Sequence, residues 1–349
     1  MRALLALAVV ALAVIGALLH PVSILLGWLP FDLRNLLRGL TEAKLVIADI
    51  LGWAVVGLLV VMLALVIKGR IAPGNGLAPR GPSDTLRAKR MVVGIIAYNE
   101  AGAIADLVKS FKLQDDVVEV VVIDNNSSDD TAALASSAGA RVVRETRQGY
   151  GYACIRALHE GALVDAADIV VITEGDGTFV AEDLPKFLAY IGQADMVVGT
   201  RVVSTLIEDG SQMDYFFTWG NIAVGTLLRL RFWHPQFLGA ASLSDVGCTY
   251  RAIRKESLQR ILGDLVVGGN HFSPHMILVA LYRHLSIVEI PVTLRRRIGI
   301  SKGAGRSFWA GLQVGLIMIW HIIWYSPGRK GAGSQVPGPG SKNTNFAKP

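Results

Sequence analysis

Hydrophobic positions along this chain fall into two regimes. From Ala3 to Trp28 apolar residues run almost unbroken, with His20 and Pro21 as the interruptions, and a second run from Leu45 to Ile67 carries Asp49 near one end. Each run is long enough to cross a bilayer as a helix, so the spacing predicts two N-terminal transmembrane helices. A cleaved signal peptide also begins with a positive residue, here Arg2, before an apolar stretch. This stretch is too long for one and lacks a small-residue cleavage site before the next charges.

From Met91 onward the pattern shortens. The β-rich runs "MVVGIIAY", "VVEVVVID", "ARVVRE", "DIVVITEGD" and "DMVVGTR" alternate with segments such as "AGAIADLVKSFKLQ" and "TAALASSAG" that read as helices. That alternation predicts an α/β domain with a mostly parallel sheet, helices on both faces, and ligands beyond the carboxyl ends of the strands. A further strand is expected at Ile287 to Leu294. The segment from Phe308 to Tyr325 is apolar on nearly every side and carries three Trp; its length is marginal for a span, and its aromatics suit a helix lying in or dipping into a membrane surface. The expected organisation is a membrane anchor over 1–70, a Gly- and Pro-rich linker over 71–90, a catalytic domain over 91–306, the apolar helix over 307–327 and a disordered tail over 328–349.

Charge adds orientation. Of 349 residues 52% are hydrophobic and 18% charged, and the formal net charge is +6. Lys68, Arg70, Arg80, Arg87, Lys89 and Arg90 follow the second apolar run, whereas the loop between the runs is only mildly basic. The positive-inside rule then predicts a multi-pass protein of the cell membrane with the domain facing the cytoplasm. No nucleic-acid motif accompanies the positive charge, so anionic headgroups or a phosphorylated lipid are the expected partners. Cys154 and Cys248 lie far apart without metal-ligand spacing and read as buried thiols of a reducing compartment.

Candidate chemistry sits at the strand ends. In "TEGDGTF" (Thr173 to Phe179) Glu174 and Asp176 stand at i and i+2, on one side of an extended segment, where two carboxylates make a hard-oxygen site for Mg2+ or Mn2+. Gly175 and Gly177 also suit a plain turn. The turn after the first strand places Asn99 and Glu100 before a helix, and the turn after the second, "DNNSSDDT", offers Asp129 or Asp130 as a cap. Caps account for each turn singly but not for three polar turns at neighbouring strand ends. His271 and His275 have helical i, i+4 spacing, yet Pro274 lies between them and no third ligand is near in sequence, which argues against zinc.

The pattern resembles the family 2 glycosyltransferases of the GT-A fold over roughly Met91 to Lys302. Their Tyr-Asn-Glu turn, Asp-rich second turn ending Ser-x-Asp-x-Thr, and Asp-x-Asp pair are similar to "AYNE", "DNNSSDDT" and "EGD" here. "GTR" at Gly199 to Arg201, "SDVGCTYRAIRKE" at Ser244 to Glu256 and "EIPVTLRRRIGISK" at Glu289 to Lys302 are similar to the dolichyl- or polyprenyl-phosphate sugar transferases, the group that includes dolichol-phosphate mannose synthase. The resemblance implies a Rossmann-like GT-A sheet and a nucleotide pocket lined by Ala97, Tyr98, Glu100 and Asp124. It implies a Mg2+ or Mn2+ ion held by Asp176, with Glu174 where the family more often has Asp, and a UDP- or GDP-hexose donor. "QGYGYA" is similar to a segment that packs near the donor, with Tyr150 where many members carry Lys. Asp245 matches an acceptor-side Asp or weak base, although "DVGCTYR" departs from the family's pattern around it.

The implied acceptor is a polyprenyl phosphate, whose oxygen is already ionised at neutral pH. Cationic clamping then matters more than a general base, and Arg201, Arg295 and Arg297 suit it as planar forks, with Lys302 adding point charge. The same cations would also serve as a basic patch on headgroups. Two rival readings stay open: transfer to a lipid hydroxyl such as diacylglycerol, which needs a true base, and a non-catalytic scaffold that keeps the fold.

Overall fold

The computed structural model describes residues 89–211, 215–232, 243–299 and 308–326; both N-terminal apolar runs, the linker, Lys302 and the tail lie outside them. Among the described residues seven strands form one sheet in the order β3-β2-β1-β4-β6-β5-β7. They are β1 (Met91–Ala97), β2 (Val117–Asp124), β3 (Arg141–Arg144), β4 (Ile169–Glu174), β5 (Met196–Thr200), β6 (Arg251–Arg254) and β7 (Ile287–Pro291). Pairing is parallel from β3 through β4 and between β5 and β7; β6 runs antiparallel to both β4 and β5.

The central strands read as unbroken Val and Ile because both faces are covered. Every residue of β1 is buried, and its alternate side chains enter different cores. Val92 and Ile96 pack beneath α3 (Tyr150–Ala162), α5 (Tyr215–Arg231), α6 (Lys255–Ile261) and α7 (Phe272–Tyr282). Met91, Val93, Ile95 and Ala97 pack beneath α1 (Ile104–Lys112), α2 (Thr131–Ser137) and α4 (Leu184–Ile191). In α1 the buried residues are Ile104, Leu107, Val108 and Phe111, a single stripe at helical spacing.

The start of α3 sits against main chain. Gly151 N donates to Gly268 O at 2.9 Å, and a Cβ at Gly151 would lie 2.1 Å from Val267 O and 2.8 Å from the Gly268 carbonyl carbon. Backbone cannot swing aside as a side chain would. Gly151→Ala is therefore expected to cost about 2–3 kcal/mol, the upper part of the range for overpacking, and to lower the thermal midpoint by roughly 5–10 °C for a domain of this size. Paired thermal melts of the two forms check it.

The last described helix, α8 (Phe308–Trp324), packs on α5 and α7. Its own Ile322 is fully buried, while Trp309, Leu316 and Trp320 are 74%, 57% and 66% exposed. Both sides are apolar, one toward protein and one away from it. No helix among the described residues is long and apolar enough to cross a membrane. A histidine pair ties α8 down: His275 Nδ1 on α7 lies 3.0 Å from His321 Nε2, and burial lowers His275 to about 4, so the pair is neutral at ordinary pH. His271 stands one residue before α7, and among the described residues no group of three His, Cys, Asp or Glu is arranged to hold a metal.

Candidate active site

Three turns converge at the carboxyl ends of β1, β2 and β4. The first two are laced together through Asn99, which takes a left-handed φ of 54°, a conformation Asn tolerates better than most residues. Its Oδ1 accepts from Ser128 N at 2.7 Å, and its own N–H donates to Ser127 Oγ at 2.9 Å. Glu100 N donates to Thr131 Oγ1 at 2.8 Å and Ala101 N to Asp129 Oδ2 at 3.2 Å. The polar residues of "DNNSSDDT" thus hold one turn against the other as well as starting α2.

These turns floor a cavity of about 540 Å³, whose lining includes Ala97, Tyr98, Glu100, Glu174, Asp176, Arg201 and Arg297. Asp124 is not in that lining. Its carboxylate accepts from Ser127 N at 3.1 Å, within its own turn, and Asn125 reaches the cavity in its place. Asn125 in turn shapes the segment before α3, accepting from Gly149 N at 2.9 Å and donating to Arg147 O at 2.8 Å.

The acids after β4 have different surroundings. Asp176 is 2% exposed; its Oδ1 accepts from Thr178 N and Thr178 Oγ1 at 3.0 and 2.6 Å, and its Oδ2 meets Arg297 Nη1 at 2.8 Å. Arg297 also donates to Glu100 through Nη2. Glu174 accepts instead from Thr249 Oγ1, which meets the Tyr150 hydroxyl at 2.5 Å, and that hydroxyl lies 2.9 Å from Ser273 Oγ. Burial, and next the neighbouring charge of Asp176, raise the Glu174 carboxyl to about 7. A buried and a half-buried carboxylate in the cavity lining supply hard oxygens of the kind Mg2+ and Mn2+ take, and the charge that Asp176 directs toward the cavity is met here by Arg297, so the donor chemistry fits a divalent cation.

The Arg residues separate in space. Arg297 enters the cavity and Arg295 is exposed. The regular strand ends at Pro291, Leu294 makes an isolated bridge with Phe179, and Arg295 N and Ile298 N donate to Thr178 O and Asp176 O along the acid turn. Two-residue spacing therefore no longer places side chains on one side.

Arg201 follows β5 and forms a double bond of charge with Asp245. Its Nε donates to Oδ2 at 2.7 Å, its Nη2 to Oδ1 at 2.9 Å and its backbone N to Oδ2 at 3.0 Å, while Gly247 N donates to Oδ1 at 3.2 Å. Two donors on each oxygen saturate the carboxylate. Burial would raise the Asp245 carboxyl, but the charge and hydrogen bonds of Arg201 outweigh it and hold it below the ordinary range. This arrangement suits holding Arg201 and not taking a substrate proton. Thr249 and Ser273, which join Glu174 to Tyr150, carried no sequence signal, since lone hydroxyl residues are common in loops and helix starts alike.

Known proteins point the same way as the geometry. The family model described as Glycosyl transferase family 2 matches residues 92–262. A dolichyl-phosphate hexose transferase of Haloferax volcanii is 32% identical over 207 residues, covering 59% of this chain and 82% of that protein. An undecaprenyl-phosphate mannosyltransferase of Micrococcus luteus is 30% identical over 165 residues, 46% of this chain and 63% of that protein, so the alignment spans less than two thirds of this second relative. Among solved structures, glucosyl-3-phosphoglycerate synthase from Mycobacterium tuberculosis, in complex with Mn2+, UDP-glucose and phosphoglyceric acid, aligns with a TM-score of 0.50 at 20% identity, covering 69% of this chain and 82% of that one. That likeness is one of fold and supports a GT-A-like, mostly parallel sheet. With one relative above 30% identity aligned over four fifths of its own length, the chain belongs to glycosyl transferase family 2 and is a glycosyltransferase.

Proposed function

We propose that this glycosyltransferase moves one hexose, with inversion, from a UDP- or GDP-hexose to a polyprenyl phosphate at the cytoplasmic face of a membrane. The observation that carries the reading is the cavity itself, in which a floor of acids and guanidinium groups faces apolar residues of α5 and α8, among them Val224, Leu312, Met318 and Ile319. A phosphate joined to a prenyl chain needs both kinds of surface. The names of two relatives, a dolichyl-phosphate hexose transferase and an undecaprenyl-phosphate mannosyltransferase, agree with that class of acceptor.

Ala97, Tyr98 and Glu100 border the nucleotide side. Asp176, with Glu174 behind it, would hold Mg2+ or Mn2+, which supplies Lewis-acid neutralisation of the charge that builds on the leaving diphosphate. Arg297 stands between Glu100 and Asp176 and would turn its fork to a phosphate oxygen when substrate arrives. Arg201, fixed by Asp245, would clamp the acceptor phosphate, with Arg295 and Lys302 adding charge outside. The acceptor oxygen is already an anion, so attack on the sugar carbon requires no base. The outward Trp309 and Trp320 of α8 would rest among headgroups, and the two N-terminal runs would anchor the chain as membrane helices.

The test offers labelled UDP- and GDP-hexoses to purified membranes with polyprenyl phosphate or diacylglycerol, with and without Mn2+. Metal-dependent label on polyprenyl phosphate and none on diacylglycerol is the expected result. Label on diacylglycerol alone overturns the acceptor class, and nucleotide binding without transfer to either supports a scaffold.

A further inference from the structure

We infer that Glu289 is a positioning residue for the transfer reaction, acting through Asp245 to aim Arg201 into the cavity. The inference rests on reading Arg201 as a ligand of the acceptor phosphate. Glu289 lies on β7 opposite Val198 of β5, and it is not among the residues lining the cavity. Its carboxylate faces the turn that carries Asp245. Ser244 N donates to both of its oxygens at 2.9 Å, Asp245 N donates to Oε1 at 2.9 Å, and Ser244 Oγ donates to Oε2 at 2.7 Å.

Ser244 N and Asp245 N can only donate, so the Glu289 oxygens are the acceptors that hold this turn, while burial pushes the Glu289 carboxyl up from its ordinary value. The same turn is tied to the end of β5, because Ser244 Oγ lies 3.0 Å from Thr200 Oγ1 and Arg201 N donates to Asp245. Gly247 permits the close approach: a Cβ there would lie 3.3 Å from Arg201 Nη2 and 3.0 Å from Asn221 Oδ1. The order of contact is therefore Glu289, the 244–245 main chain, the Asp245 carboxylate, then the Arg201 guanidinium. Each step fixes an angle of the next, and a planar fork is sensitive to angle.

Glu289→Gln keeps the volume and turns an amide N–H toward one of those donors. Losing a charge-assisted hydrogen bond corresponds to roughly a tenfold effect, so we expect the acceptor KM to rise about tenfold with the donor KM within about twofold of wild type. Ser244→Ala, which removes one of the donors, should move the same constant by a smaller factor and keeps the test open if the Gln variant folds poorly. The decisive comparison is a double-mutant cycle with Arg201→Lys. If Glu289 acts through Arg201, the double variant is no worse than Arg201→Lys alone. Effects that multiply, in kcat or in KM, would overturn the inference in favour of an independent or a merely structural role. An unchanged acceptor KM in Arg201→Lys, with kcat effects that still fail to multiply, would sink the phosphate reading while leaving the coupling in place.

Discussion

Asp176→Asn is expected to lower kcat/KM for sugar transfer by about two to three orders of magnitude, the scale of removing preorganised stabilisation of a developing charge. Thr178 fixes one oxygen of Asp176 through its N–H and hydroxyl, so the other is left aimed at Arg297 and the cavity. The Asn variant keeps the first set of contacts and removes the charge from the second. Nucleotide binding should lose its dependence on Mn2+ in calorimetry, a readout that does not need turnover. Full activity with metal-dependent binding intact would remove Asp176 from the proposed metal site.

Asp245→Asn should act first on stability. The residue is fully buried, and its partner Arg201 has 17% of its side chain exposed. Breaking a buried pair by neutralising one member leaves an uncompensated charge, which typically costs about 3–5 kcal/mol, or a fall in thermal midpoint of roughly 10 °C or more. The sign of the pH effect follows from the lowered carboxyl: its contribution is complete above the ordinary Asp range and is lost as pH falls below that range. Thermal melts of wild type and variant at pH 7 measure the cost. A variant that melts like wild type but has lost only kcat would restore Asp245 as a base and would favour the lipid-hydroxyl acceptor.

How far the sequence reached depended on how local each feature is. The strands of the parallel half were legible because strands covered on both faces become unbroken Val and Ile runs, and the acid pair was legible because it closes one of them. β6 was harder to see. It has four residues, "RAIR", whose Arg251 and Arg254 are buried by donating to main-chain carbonyls, so no apolar run marks it. Arg295 and Arg297 were read alike as planar forks for a phosphate, and the structure separates them by placing Arg297 in the cavity lining and leaving Arg295 exposed. The hydroxyl chain from Glu174 to Ser273 joins residues 75, 99 and 123 positions apart. No periodicity reports contacts of that range.

The cavity's lining also extends past the stretch that the family model matches. The family match closes at residue 262, after every candidate acid of the floor but before Arg297, Glu289 and α8. A chain trimmed to the matched region would keep Glu100 and Asp176 without the guanidinium they share, lose the brace behind Asp245, and open the apolar wall to water. Such a fragment would carry the three acid-bearing turns while holding a cavity of the wrong charge. The cavity's lining thus runs on through Arg297 and α8, beyond residue 262 where the family match stops.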